Sequence, residues 1–257
     1  MRHAVQAWRR VAFLAPKACR MSSRSESPRI SAAQRGAFIL FEGGDRCGKT
    51  TQSQSLVDHL QASGVKAELW KFPDRQTGTG RMIDSYLTSK TELDDAAVHL
   101  LFCANRWEKR EAMLAALKSG TTLVVDRYSY SGVVFTSAKQ LPGLDLSWCK
   151  APETGLPAPD LVLYLRLPHV EIAAQRGSYG EERYEKTAFQ QEVQHRFDGL
   201  QDSSWTVLDA SRSIEDLQTE VQAAATTAIS RCKTGAPLRQ LWRAASPPLN
   251  SIDNTYT

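Results

Sequence analysis

The sequence predicts a doubly wound α/β domain, with five parallel strands in one sheet and helices on both faces. Three observations point there. From Ala37 onward short β-branched runs alternate with longer helical stretches. Some runs are apolar without interruption, as at 123–125 and 161–165, which suits strands buried on both faces of a parallel sheet. A glycine-rich loop also joins the first strand to the first helix, the usual place for a ligand loop in such folds.

In chain order, the strands are expected at "AFILFE" (37–42), "AELWKF" (67–72), "TTLVVD" (121–126), "DLVLYLRL" (160–167) and "WTVLDA" (205–210). Helical patterns fill 49–62, 93–118, 168–176, 186–201 and 213–229. Pro168 falls where a helix would start and loses no bond there, while Gly64 and Gly120 stop the segments before them. Trp107 reads as plain core. The folded domain is bounded at 36–243, between an arm (1–35) and a polar tail (244–257) with adjacent prolines, both expected to be disordered.

The 257 residues, 42% hydrophobic, suffice for one large core or two small ones. No apolar run approaches the ~18–20 residues that cross a bilayer, so no membrane association is expected. Residues 1–35 carry eight basic side chains against one acid, hence +7, leaving −3 of the overall +4 for the rest. That remainder offers no nucleic-acid surface. The arm is rich in Arg, Ala and Ser. It reads equally as an amphipathic mitochondrial presequence or as upstream sequence unused when synthesis starts at Met21, so cytoplasm, mitochondrion and nucleus stay open. Five scattered cysteines, with no CxxC and no His/Cys metal spacing, suggest free thiols in a reducing compartment.

The loop "GGDRCGKT" fits GxxxxGK[ST] at every specified position. Gly43 and Gly48 let successive N–H groups turn inward around phosphate oxygens, and the helix opening near Lys49 adds its positive end. Lys49 is placed to bridge the β- and γ-phosphates and the Thr50 hydroxyl to take one Mg²⁺ position. A phosphate loop of this kind (P-loop) serves switch GTPases, motor ATPases and small-molecule kinases. The guanine-specific N-K-x-D is absent, the nearest string being "ANRW" at 104–107. A compact chain with many downstream arginines favours phosphoryl transfer to a small acceptor.

Four further stretches supply acceptor groups. "TLVVDRYSYSG" (122–132) ends a strand in Asp126-Arg127, where P-loop enzymes hold Mg²⁺ through an acid. "KFPDRQTGTG" (71–80) places Arg75 just past another strand. "HLLFCANRWEKR" (99–110) sets Phe102 and Arg106 four apart on one helical face. "QRGSYGEERYEK" (175–186) is polar and glycine-containing, with Arg176, Arg183 and Tyr184, as in mobile lids. Taken singly, each also has a plain reading: a core phenylalanine, surface charges, or a capped helix start with a salt bridge.

Together the strings FEGGDRCGKTTQ, FPDR, LLFCANRWE, VVDRYSYSGVVF, PDLVLYL, RGSYGEERYE and PLRQLW resemble the thymidylate kinase family of P-loop nucleoside monophosphate kinases, in its eukaryotic type, over residues 36–243. The resemblance implies transfer of the γ-phosphoryl of ATP to dTMP, with Mg²⁺, in dTTP synthesis, by a homodimer. It implies that Asp45 holds the sugar 3′-hydroxyl and contacts Arg75 or Arg127. Arg46 would act as a built-in arginine finger, with Asp45, Lys49 and Arg127 also catalytic. ATP would lie on Gly43, Arg46, Cys47, Gly48, Lys49, Thr50 and Thr51, with Arg176, Arg183 and Arg212 toward the adenine. Phe102 would stack on thymine and Arg106 donate to its O4, while Arg75 and Arg127 bind the acceptor phosphate. Phe72, Ser131 and Gly132 would line the pocket, Tyr184 would crowd out a 2′-hydroxyl, and Thr50 and Asp126 would hold the metal. Asp74, where the family often has glutamate, and Cys47, where it has a smaller residue, are departures. For the dimer, Val98, Leu101, Met113 and Leu117 read as either interface or core. Two alternatives are a kinase of thymidine itself, which would need a general base rather than arginines, and a nucleotide-binding regulator without turnover.

Overall fold

Alternate residues of the first strand point into opposite cores. In β1 (Phe38–Glu42) Ile39 and Phe41 join a cluster with Leu56, Leu60, Val221 and Ile229, whereas Phe38 and Leu40 join one with Tyr128, Val134 and Phe197. A strand apolar on both faces needs cover on both, and helices supply it. A computed structural model describes residues 34–176 and 182–243 of the chain.

After β1 come α1 (Lys49–Ala62), β2 (Ala67–Lys71), α2 (Gly78–Leu87), α3 (Asp95–Trp107), α4 (Arg110–Lys118) and β3 (Thr122–Asp126). Then follow α5 (Ser129–Ser137), α6 (Leu146–Lys150), β4 (Leu161–Arg166), α7 (Glu171–Ala174), α8 (Thr187–Asp198), β5 (Trp205–Asp209) and α9 (Ile214–Lys233). The strands form one sheet in the order β2-β3-β1-β4-β5, all parallel. β1 lies between β3 and β4, and Phe41 pairs with Asp126, so the loops after β1 and β3 leave the sheet side by side at its carboxyl edge. In doubly wound sheets that edge carries the ligand.

All five expected strands are present. The expected helix 93–118 is instead two, broken at Glu108-Lys109. Side-chain anchors pull the two halves apart: the Trp107 indole donates to the carbonyl of Pro152 (2.7 Å), and Lys109 pairs with Asp74 (2.6 Å). Trp107 is accordingly part-exposed, not core. Val98, Met113 and Leu117 are buried and Leu101 is partly buried against the α2–α3 cluster, so these four pack within the subunit. The helix expected from Pro168 begins only at Glu171. Helices α2, α5 and α6 form where the sequence pattern predicts none.

The arm up to residue 33, residues 177–181 of the polar insert and the tail 244–257 lie outside the described residues. Arg35, expected in the arm, belongs to the fold. Its guanidinium meets both Asp160 oxygens at 2.7 Å and also donates to the carbonyls of Ala236 and Pro237. Asp160 further accepts from the Phe38 amide at 2.8 Å. Both partners are buried, so removing one leaves an uncompensated charge. Asp160→Ala is expected to lower the unfolding free energy by about 3–5 kcal/mol in urea titration; a loss within ~0.5 kcal/mol would mean the pair is a surface-like contact.

Candidate active site

The loop after β1 is shaped by its backbone first. Gly48 has φ +95° and Gly43 +144°, values that side chains with a Cβ rarely adopt. Arg46 (φ +57°) and Arg127 (φ +66°) take the left-handed conformation without being glycine. Non-glycine residues held there cost on the order of 1 kcal/mol each and cluster at functional sites. Arg127 is fixed by its amide, which donates to Phe41 (3.0 Å), and Arg46 by its carbonyl, which accepts from Arg176 Nη1 (2.6 Å).

These loops border a cavity of about 690 Å³. Lys49, Arg46, Arg75, Arg127 and Arg176 all line it, although they come from four separate segments. So do Asp45, Cys47, Gly48, Thr50 and Thr51 from the loop, and Phe72, Phe102, Arg106, Ser131, Gly132 and Tyr184 from the other wall. Asp126 and Arg212 border it as well. Two expected residues do not. Gly43 lies behind the cavity, its carbonyl accepting from Arg127 Nη1 (3.3 Å). Arg183 turns away, stacking on Tyr86 at 4.2 Å and pairing with Glu92 at 2.7 Å.

Each arginine of the cavity has a partner. Arg127 is paired with Asp45, resolving the choice between Arg75 and Arg127 in favour of the latter. Burial alone would lower the Arg127 guanidinium, but Asp45, then Asp126 and Glu42, hold it above its ordinary value. Arg46 meets Glu185 at 2.7 Å; Arg75 meets Glu182 at 2.6 Å and Asp84 at 2.7 Å. Arg176 donates to backbone carbonyls, and Arg212 pairs with Glu220. Lys49 donates to the Gly44 carbonyl and to Cys47 Sγ (3.3 Å).

Arg106 is buried and forked onto the buried Glu153 (Nε to Oε2, 2.9 Å, with Nη2 on Oε1). A Cβ on Gly132 would stand 2.5 Å from Arg106 Nη2, so this close approach needs glycine. Phe102 lies one turn before Arg106 on α3. Tyr184 stacks on Phe189 (5.4 Å between centroids) and shares a hydrogen bond with the Tyr86 hydroxyl at 3.1 Å.

The donor set for a cation can be tested directly. Thr50 Oγ1 donates to Asp126 Oδ2 at 2.6 Å, and among the described residues buried Asp126 Oδ1 has no hydrogen-bond partner. A hydroxyl beside a carboxylate with a free buried oxygen suits Mg²⁺, which takes few protein ligands and keeps waters and phosphate oxygens. Among the described residues, no group of three or more His, Cys, Asp or Glu could form a protein-only metal cage.

Several residues that shape the site carried no sequence signal. Gln190 clamps Asp45, donating to Oδ2 (2.6 Å) and accepting from its amide (2.9 Å). Asn105 ties down the loop after β2, accepting from the Asp74 amide and donating to Thr77 and Thr79. Glu42, fully buried, accepts from the amides of Tyr128 and Ser131 and from the Ser131 hydroxyl (2.6 Å).

A P-loop at the carboxyl edge of an all-parallel sheet, facing guanidiniums from three further segments across one hollow, places the chain among the P-loop nucleoside monophosphate kinases. Comparison with known proteins narrows the class. The family model "Thymidylate kinase" matches residues 41–221. The thymidylate kinase of Arabidopsis thaliana is 52% identical over 219 residues, covering 85% of this chain and 81% of its own length. That of Homo sapiens is 48% identical over 215 residues, covering 82% of this chain and 100% of its own. A solved structure of thymidylate kinase from Candida albicans has a TM-score of 0.70 at 34% identity, covering 80% of this chain and 98% of its own. The chain belongs to the thymidylate kinase family.

Burial pushes the Glu42 carboxyl above its ordinary value, against the hydrogen bond from the Ser131 hydroxyl and the pull of Arg127. A carboxyl whose pKa rises on folding stabilises the protein fully below its unfolded value, about 4.3, and that contribution is lost as pH climbs through the raised value. Glu42→Gln, which cannot ionise, should therefore gain stability relative to the parent as pH rises above about 4.3. Parallel urea-midpoint curves from pH 4 to 8 would overturn this.

Proposed function

We propose that the chain transfers the γ-phosphoryl of ATP to dTMP, giving ADP and dTDP, with Mg²⁺ as the cofactor. The observation that carries the reading is the convergence of Lys49, Arg46, Arg75, Arg127 and Arg176 on one cavity, with an aromatic–arginine pair, Phe102 and Arg106, in its wall. Two polyanions set end to end need such a cluster, because phosphoryl transfer depends on positioning and charge neutralisation more than on covalent help.

In this reading Lys49 and the loop amides take the β- and γ-phosphates of ATP. Thr50 and Asp126 hold Mg²⁺, which supplies charge neutralisation on the phosphate oxygens when bound. Arg127, with Ser131 Oγ 3.3 Å from its Nη1, and Arg75 take the acceptor phosphate. Arg75 must then exchange a carboxylate for the phosphate, and of its two partners Glu182 is the one that lines the cavity. Asp45, clamped by Gln190 and Arg127, faces the sugar. Arg46 leaves Glu185 to bridge donor and acceptor. Arg176 and Arg212 flank the adenine. A phosphate oxygen of dTMP attacks as an anion without a general base, whereas the neutral hydroxyl of thymidine would need one; the arginines lining the cavity suit the anionic acceptor.

A homodimer belongs to the same reading and rests on the family likeness. Among the described residues no helix is long and apolar enough to cross a membrane.

ADP release measured across dTMP, dUMP, UMP, CMP and thymidine tests the reading; dTMP is expected to lead, and preference for thymidine would replace it with the nucleoside-kinase alternative. Arg46→Ala should cut kcat by ~10³-fold or more while dTMP affinity changes little. An unchanged rate would remove the finger role.

A further inference from the structure

After α9 the residues 236–242 run back over the fold as a strap and meet the helix that follows Arg127. The Arg35 guanidinium donates to the carbonyls of Ala236 (2.7 Å) and Pro237 (3.0 Å), and Arg239 Nη2 donates to that of Pro159 (2.9 Å). Antiparallel bonds then join the strap to residues 155–158. The Ala158 amide donates to the Arg239 carbonyl (2.9 Å), the Leu241 amide to that of Leu156 (2.8 Å) and the Gly155 amide to that of Leu241 (3.1 Å). Leu241 is buried in one cluster with Leu156 and Tyr128. Trp242 comes next, at φ +57°, a left-handed conformation that a bulky side chain rarely adopts. Its ring meets Tyr130 edge-on, with centroids 5.1 Å apart, and the Lys150 ammonium sits 4.7 Å from its centre. Held in this way, the indole Nε1 donates to the Ser129 hydroxyl oxygen at 3.1 Å.

Ser129 is fully buried, opens α5 and stands between Arg127 and Ser131. The residue before it, Tyr128, gives α5 no side-chain cap. The backbone of this loop hangs from the end of β1. The Arg127 amide donates to Phe41, and the amides of Tyr128 and Ser131 donate to the Glu42 carboxylate. Bonds to two neighbouring residues of one strand define an axis, and a segment held along an axis can still turn about it. The indole adds a point of attachment from a distant part of the chain and removes that freedom. We propose that Trp242 is a positioning residue for Arg127, acting through Ser129, and so sets the affinity for the acceptor phosphate. This rests on the reading of Arg127 as a holder of the dTMP phosphate and deepens it. Neither Trp242 nor Ser129 lines the cavity, so neither touches substrate. An indole N–H only donates, and without it the buried Ser129 oxygen is left short of a partner. A binding group displaced by about 1 Å can cost up to ~10²-fold in rate, so a small turn of the loop is enough.

The test uses the full-length chain and steady-state kinetics with dTMP and ATP. Trp242→Phe keeps an aromatic ring for Tyr130 and Lys150 and deletes the N–H. It should raise KM for dTMP by ~10-fold, with KM for ATP within about twofold. Ser129→Ala should do the same, and the double variant should be no worse than either single one, since the same bond is lost in all three. A Trp242→Phe enzyme with the parent's KM for dTMP and only a lowered urea midpoint makes the residue purely structural. That result overturns the proposal and leaves the dTMP reading intact. Equal rises in KM for both substrates, or losses that add in the double variant, overturn it as well. If Trp242→Phe does not fold, Ser129→Ala, which leaves the strap's own residues untouched, decides by the same split between the two KM values. A parent protein that prefers thymidine or another nucleotide to dTMP overturns the dTMP reading and this proposal with it.

Discussion

Crowding of like charge is the constraint under which this cavity is built. Cationic heads from four separate segments stand together around one hollow, and repulsion between them is strong where water is scarce. The chain meets this with stand-in acceptors. Asp45, Glu185 and the pair Asp84 and Glu182 take Arg127, Arg46 and Arg75, while backbone carbonyls take Arg176 and Lys49. Such pairs hold the guanidiniums in place, and the partly exposed ones are weak enough to yield to a polyanion. Asp45 is different. Gln190 grips it from the other side, so the Asp45–Arg127 pair at the cavity's edge is braced.

Strain follows from the same constraint. To bring guanidiniums from β1 and β3 into one hollow, the backbone takes left-handed turns at Arg46 and Arg127, where glycine would be more comfortable. Glycine would give the turn and lose the cation. The cost is absorbed by hydrogen bonds on the very peptide groups concerned, from the Arg127 amide to Phe41 and from Arg176 to the Arg46 carbonyl. Local instability at the site is thus offset by bonds that also tie it to the central strand and to the turn after β5.

The strands and the phosphate loop were legible because their signals are local. Five short strand-forming runs and an eight-residue glycine pattern need no knowledge of the rest of the chain. What was missed depends on distance along it. Helix α2, "GTGRMIDSYL", opens on two glycines of poor helical propensity and forms because Thr77 caps it and Ile83, Tyr86 and Leu87 pack on Val98. The break after Trp107 answers to Pro152 and Asp74, which lie 45 and 35 positions away in sequence. Glu153, Glu185 and Gln190 look like ordinary polar positions until folding sets them against Arg106, Arg46 and Asp45. The arginines were readable as a set by resemblance, but their partners were not, since any acid far off in the chain would have read the same.

Burial then separates the two nucleotide positions proposed above. Arg106, Glu153, Gly132, His99 and Thr136 are part of the packed interior on the α3–α5 side, where side chains have one arrangement and little room to adapt. Arg212, assigned to the adenine side, is substantially exposed and pairs with an exposed glutamate. A base read by interior groups must match a rigid donor and acceptor pattern, whereas a base lying on a solvent-exposed turn meets side chains that can move aside. On the proposed reading, selectivity belongs to the acceptor position and permissiveness to the donor position, and the difference follows from where the sheet and helices leave solid packing and where they leave solvent.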